Sequence, residues 1–398
     1  MRGGGVTSAA RPTSAILLSS GETRTVAVTS DTKLAAEAPA LTGGDWLRRI
    51  GRSVEAVFIP AMAIVASALL FSLLLIILGK SPQEFYELLW RGGFGTSFSW
   101  QNTLVRATPL IFTALCVAVP ARLGMVIIGG EGAFVLGGFC AAAIAVPLVD
   151  WASPWIVMPL MILAAVISGA IWIGFVGVLR YYRGVNETIA SLLMYYIAVS
   201  IMNFFVEGPL RDLSNPNKPS TKPIGDANMV GNIPGLEVHW GLVVGIVLAL
   251  ALWVLMNRTK FGFAARVTGG NVRAARAQGL PVGRLIVISC AIAGACAGLA
   301  GYFEVAAIQG RANASIAAGY GFTGILVAFL AKQNPLAIIP VSIFLGGIAA
   351  AGGLIQRRMG MPDATVQVLQ GLMFVLLLVS ETLYGRFRIF GGGKGGGR

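Results

Sequence analysis

The chain has 398 residues, 56% of them hydrophobic and only 12% charged, with 30 Lys and Arg against 17 Asp and Glu and a mean hydropathy of +0.77. A charged share near half of the ~25% usual in soluble domains excludes an ordinary soluble enzyme and points to an all-α, polytopic helical membrane protein. The excess of 30 − 17 = 13 positive charges reads as topology, collected in loops held on the cytoplasmic side, and not as nucleic-acid binding.

Residues 1–45 are rich in Gly, Ser, Thr and Ala without sustained periodicity, which predicts a disordered tail. Arg48, Arg49 and Arg52 then precede the first apolar run, Val54 to Leu78, and place the amino terminus inside. Phe85 to Trp100, with Tyr86, Trp90, Phe94 and Phe98, suits an external interfacial segment. The second span, Leu104 to Pro120, returns inward. A glycine-rich break from Gly124 to Gly138 precedes a third run to Val149, and such breaks are tolerated at membrane depth only against protein or a water-filled cavity.

Pro154 to Leu179 and Asn186 to Val206 form two further spans, and the proline-rich stretch within residues 207–238 reads as an irregular external loop. After a span from Trp240 to Met256 comes the one long basic segment, residues 257–284. It carries Arg258, Lys260, Arg266, Arg273, Arg276 and Arg284 and no acid. Within it, Asn271 suits the N-cap of a short helix running through Arg273, Ala274, Ala275 and Arg276, Gly279 suits a left-handed stop, and Pro281 forbids continuation. Leu285 to Ala307 is the seventh span, followed by short apolar stretches at Gly319 to Ala331 and Leu336 to Ala351 and a last one at Val366 to Leu383.

The total is about ten transmembrane segments, some broken or re-entrant, within a transmembrane domain of residues 46–385, with both termini inside and a basic glycine-rich tail at 386–398. Arg357 and Arg358 resist this count, because they fall in a loop expected outside; either the stretch around Phe322 is re-entrant or that loop defies the charge bias.

Few residues offer chemistry. Glu131, between Gly130 and Gly132 at the start of a span, reads as a cap for exposed helix amides or as the lining of a route. Asn186 and Glu187 suit the start of a helix, one as cap and one at the positive pole. Glu304 falls near the outer end of the seventh span, hydrated there or paired with Arg311. His239 beside Trp240 reads as an interfacial anchor, and Cys116, Cys140, Cys290 and Cys296 as packing residues. No catalytic constellation, metal-ligand spacing or phosphate-binding GxxxxGK[ST] is present.

Four stretches together carry a family resemblance: TPLIFTALCVAVPARLGMVIIGGEGAFVLGG from Thr108, VNETIASLLMYYIA from Val185, GGNVRAARAQGLPVGRL from Gly269, and GYGFTGILVAFLAKQNPLAI from Gly319. In order and spacing the chain resembles the permease subunits of bacterial ABC importers in the ribose and branched-chain amino-acid superfamily, nearest the simple-sugar and nucleoside branch. The resemblance implies a multi-pass protein of the bacterial cytoplasmic (inner) membrane that translocates a nucleoside or simple sugar. It would work with a cytoplasmic ABC ATPase that uses ATP and Mg, a second permease subunit, identical or different, and an extracytoplasmic substrate-binding protein. No cofactor belongs to this chain itself. The resemblance also makes the segment around Asn271 to Gly279 the helix that couples to the ATPase. The family pattern is thinned at Ile127 and Tyr195, where Asn is common, at Ala133, where Gln is usual, and at Thr323, where Asp is common. These departures keep a branched-chain amino acid open as substrate. A different class, an ion-coupled secondary transporter built from discontinuous helices, is the alternative to the ABC reading.

Overall fold

With no water to serve their backbone, apolar spans close their hydrogen bonds within themselves, and the described residues of the computed structural model, 43–214 and 218–381, are helical almost throughout. The predicted tails at 1–45 and 386–398 lie outside these residues, apart from the opening of the first helix. The helical bundle lies within the described residues from 54 onward.

The helices run α1 (Gly43–Ile77), α2 (Pro82–Gly93), α3 (Ser97–Ala121), α4 (Gly130–Ala145), α5 (Pro154–Arg183), α6 (Glu187–Glu207), α7 (Gly241–Arg258), α8 (Lys260–Gly270), α9 (Val272–Ala277), α10 (Val282–Phe303), α11 (Tyr320–Leu330), α12 (Pro335–Met359) and α13 (Ala364–Glu381). Their ends obey local chemistry. Ser81, Thr96, Asn186, Thr259, Asn271 and Asn334 accept from the first free amides of α2, α3, α6, α8, α9 and α12. Gly184 and Gly360 stop α5 and α12 in the left-handed region, at φ 66° and 65°. Among the described residues there is no strand, only isolated bridges at Ser220–Asn313 and Asn232–His239.

Eight helices are long and apolar enough to cross a membrane, and two shorter apolar runs, Ala314–Leu330 and Ala364–Ser380, add to them. Burial sorts the spans: 78% of the span in α3 lies inside the protein against 22% in α1, so α3 is a core helix and α1 a peripheral one. The tightest crossing is α5 on α10, where Gly169, Gly294 and Gly298 bring two backbones together. A Cβ at Gly298 would strike the Ala165 carbonyl, and one at Gly294 would strike that of Gly169.

Three contacts order the crossings. A Cβ on Gly269, at the end of α8, would meet the Arg122 carbonyl, so the basic segment lies on the face where α3 ends. The Arg122 Nη2 donates to the Gln333 carbonyl at 3.3 Å, which brings the α11–α12 turn to the same face. At the other end of α12, Lys80 Nζ donates to the Met359 carbonyl at 2.8 Å, beside the end of α1. Arg357 and Arg358 therefore stand on the face opposite the basic segment, and the run before α12 is a full crossing. The charge bias yields here because both arginines sit in the last turn of α12, where cations suit the negative pole of the helix.

Two expectations need correction. The stretch Phe85 to Trp100 is only in part a surface segment. Its α2 packs on α12 and reaches α1 through side chains, with Phe85 fully buried against Phe71 at 5.0 Å and the Tyr86 hydroxyl donating to the Ala68 carbonyl at 2.7 Å. Gly92 and Gly93 meet the α12 backbone at Ala351 and Gly347. The aromatic run misled because only part of it, Trp90, Phe98 and Trp100, is exposed. His239 is likewise not an anchor at the edge: it is 3% exposed, stacks on Phe303 and accepts from the Gly241 amide through Nδ1 at 3.2 Å.

The proline-rich loop is irregular, as expected, yet it is pinned over the end of α10. Thr221, Ile224 and Val230 donate their amides to the carbonyls of Ala312, Gly310 and Ala306. All four cysteines are free thiols, with Cys116, Cys290 and Cys296 buried.

Candidate functional site

Two helices of the bundle begin inside it. The chain leaves α3 at Ala121, runs unwound through Met125–Ile128, and starts α4 only at Gly130. The amides of this unwound stretch are served by α6: Ser191 Oγ accepts from Ile128 at 3.1 Å and Gly129 at 3.2 Å, and Thr188 Oγ1 donates to the Val126 carbonyl at 3.0 Å. Gly129 is required there, since a Cβ would run into the Ser191 carbonyl. From the opposite face the chain descends without regular helix through residues 310–319, apart from one short turn at Ala314–Ile316, and α11 starts at Tyr320.

The starts of α4 and α11 meet at Glu131. Its side chain is fully buried, with Oε1 accepting from the Gly319 amide at 2.7 Å and Oε2 from the Gly321 amide. Glu131 thus caps a helix far from it in sequence, placing a carboxylate at the positive pole of α11. Thr113 of α3 adds to the junction, its hydroxyl shared between the Pro109 carbonyl of its own helix at 2.8 Å and the Tyr320 carbonyl at 3.1 Å. Gly321 and Gly324 let α11 approach, for a Cβ at Gly324 would strike the Thr113 hydroxyl. The depth is set by α6: a Cβ on Gly132 would meet the Tyr195 Cα, and Tyr195 lies eight residues past Glu187, about 12 Å along the helix from the basic face. Tyr195 also sets its ring edge to face with Phe322, 5.1 Å between centroids.

On the basic face, the basic segment folds as two short helices. Thr259 caps α8, whose end rests on Arg122 and Leu123. Asn271 then caps α9 through the amides of Arg273 and Ala274 at 3.0 and 3.1 Å, and Gly279 turns the chain at φ 76°. Ala275 is the one buried residue of α9, so it anchors the helix while Arg273, Ala274 and Arg276 stay exposed. The Arg276 guanidinium lies 5.9 Å from the Tyr181 ring of α5.

The family described as branched-chain amino acid transport system / permease component matches residues 99–378, which take in the broken-helix junction and both basic-face helices. This chain belongs to that permease family. It is 31% identical to the glucose ABC transporter permease protein of Haloferax volcanii, over 83% of this chain and 89% of the relative. It is 29% identical to the guanosine ABC transporter permease protein of Bacillus subtilis, over 83% and 94%, and 26% identical to the nucleoside ABC transporter permease protein of Lactococcus lactis, over 81% and 91%. The chain is a multi-pass membrane component of an ABC transporter, not an enzyme, and permeases of this kind work with an ATPase and a substrate-binding protein. The ion-coupled alternative is set aside.

The remaining residues singled out in the permease do not converge on one place. Asn186 caps α6 through the amides of Thr188 and Ile189 at 2.9 and 3.2 Å, and Glu187 pairs with Arg180 at 3.2 Å, both close to the basic face. Glu304 is not hydrated at a helix end, nor is Arg311 its partner. It is 4% exposed in a π-helical turn, Glu304–Gln309, where Oε1 accepts from Gln309 Nε2 at 3.1 Å and Oε2 has no hydrogen-bond partner. Arg311 reaches Ser220 instead, at 3.5 Å. Thr323 lines a cavity between α3, α11, α12 and α13. Sequence reading passed over Thr113, Thr188 and Ser191, the residues that make the broken helices tenable. The signal for two of them was present: Thr188 and Ser191 stand three apart, a polar pair on one face of an apolar helix.

Proposed function

We propose that this chain is the permease subunit of an ATP-driven importer for a nucleoside or a simple sugar. The observation that carries the substrate class is the agreement of the glucose, guanosine and nucleoside permease relatives, each matched over most of its own length. The basic face is cytoplasmic, the membrane is the cytoplasmic (inner) membrane, and both termini lie inside. A second permease subunit, identical or different, completes the membrane portion, and the ATPase holds the ATP and Mg.

In this reading α9 is the coupling helix. A capped helix held by Ala275 and exposed elsewhere is a rigid body for a partner to grip. Motion of α8 and α9 would pass through Gly269 to Arg122 and Leu123, along Met125–Ile128, and into the junction of Glu131 with α11. Nucleotide state would then bias two arrangements of the broken helices, which is what coupling requires. Tyr195, Asn186 and Glu187 belong to the frame of this path, and Thr323 faces the solute.

The test is reconstitution with the ATPase, the binding protein and any second permease chain encoded beside it. Uptake of labelled adenosine, guanosine or glucose should require ATP and survive an ionophore. Uptake that persists without ATP and collapses with the ionophore would refute the reading.

A further inference from the structure

The cavity that Thr323 lines has a volume of about 120 Å³ and receives Arg106 from α3, Tyr320 and Thr323 from α11, and Asp363, Gln367 and Gln370 from the turn before α13 and from α13 itself. Among the described residues, the side chains of Arg106, Tyr320, Thr323, Asp363 and Gln367 make no hydrogen bond to the protein, and Gln370 uses only Nε2, which donates to the Leu345 carbonyl at 3.3 Å. Asp363 and Gln367 are exposed at the mouth of the cavity and Arg106, Tyr320 and Thr323 are half-buried along it, so it gathers donors and acceptors that an entering solute can meet in place of water. Room for the acid is built in: a Cβ on Gly352 would strike the Asp363 carboxylate.

Position and chemistry narrow the occupant. Asp363 lies just past the end of α12, on the face opposite the basic segment, while Tyr320 is the first residue of the helix that Glu131 caps. The cavity therefore descends from the far face to the broken-helix junction. Its one cation and one acid balance, which suits a solute of no net charge. A carboxylate accepts two neighbouring hydroxyls while guanidinium and amide groups donate to their oxygens, and Leu110 and Val366 offer an apolar wall to a ring face.

We propose that this cavity, inside a single permease chain, binds the polyhydroxy ring of the transported solute, recognising its vicinal hydroxyls through Arg106, Asp363, Thr323 and Gln367. The proposal rests on the nucleoside or sugar reading above. A phosphorylated sugar brings uncompensated negative charge past Asp363, and a branched aliphatic side chain leaves Thr323 and Gln367 unpaired, so both are disfavoured.

The reconstituted complex tests this with paired probes: adenosine against 2′,3′-dideoxyadenosine, and glucose against 2-deoxyglucose, with leucine as the zwitterionic comparison. Because the binding protein is the same throughout, its own selectivity cancels between variants. For the pair that is carried, Thr323→Val and Gln367→Leu should each raise KM about tenfold and shrink the preference for the hydroxylated probe about tenfold. Thr323→Ser, which keeps the hydroxyl, should restore both, and all three variants should co-purify with the ATPase as the parent does. Unchanged KM and unchanged preference in Thr323→Val and Gln367→Leu would overturn the cavity assignment and leave the substrate class standing. ATP-driven uptake of leucine and of none of the others would overturn the substrate class and the proposal with it.

Discussion

Replacing Glu131 by Gln perturbs the junction at its centre while hardly changing volume. The carboxylate offers one oxygen to the Gly319 amide and the other to that of Gly321. An amide offers one oxygen and turns its NH2 toward the second N–H, so one buried donor is left unmade at a cost of about 1–3 kcal/mol. Removing the negative charge from the pole of α11 adds about 0.3–2 kcal/mol. The sum, about 1–5 kcal/mol, is a large share of the ~5–15 kcal/mol that holds a typical fold. The assay is thermal unfolding of the detergent-solubilised permease monitored by size exclusion, alongside ATP-driven uptake. Glu131→Gln should unfold several degrees lower and transport poorly. Glu304→Gln serves as the contrast, since one oxygen of Glu304 already lacks a partner; it should match or exceed the parent in stability. A Glu131→Gln protein that unfolds within about 1 °C of the parent and transports fully would refute the claim that these two bonds hold the broken helices.

Arg276→Glu should leave insertion intact and weaken co-purification with the ATPase, and Asn271→Ala, which removes a cap worth about 1 kcal/mol from a six-residue helix, should lower uptake at unchanged protein level. Gly298→Val should reduce recovery of folded protein, because the added carbons meet the Ala165 carbonyl and overpacking costs about 1–3 kcal/mol; Gly371→Ala, with open space at its Cβ, should be neutral or stabilising in the same assay. His239 links stability to pH. Burial holds its imidazole down to about 4 from an ordinary 6.5, so the neutral ring's contribution is present above about 6.5 and is lost progressively as pH falls toward 4. His239→Asn, which keeps an acceptor for the Gly241 amide, should flatten thermal stability across that window, and an unchanged pH profile would exclude His239 as the titrating group.

Much of the fold was legible because the bilayer leaves the backbone few choices. Apolar length marked the spans, Asn186 and Asn271 marked helix starts by side-chain reach, and Gly279 marked a stop by its backbone freedom. The basic segment was recognisable as a built element, though its helical half at Lys260–Gly270, capped by Thr259, was missed. Glu131 was identifiable as a cap, but its target was not, because the amides of Gly319 and Gly321 lie some 190 residues downstream. The aromatic run at Phe85 to Trp100 was legible only in part for the same kind of reason: interfacial and packed aromatic residues have one composition and differ only in their neighbours.

By itself, then, the sequence determined what depends on local chemistry: a helical membrane protein of about ten crossings, its basic face, the capped helix upon it, and the family to which the chain belongs. Tertiary structure alone decided which broken helix ends meet, that Glu131 closes the start of α11, that Arg357 and Arg358 lie opposite the basic segment, and that Arg106, Thr323, Asp363 and Gln367 share one cavity. These are pairings between distant residues. Hydropathy and capping report only each residue's immediate neighbours along the chain, whereas a carboxylate meeting an amide nearly two hundred positions away is set by how whole helices pack.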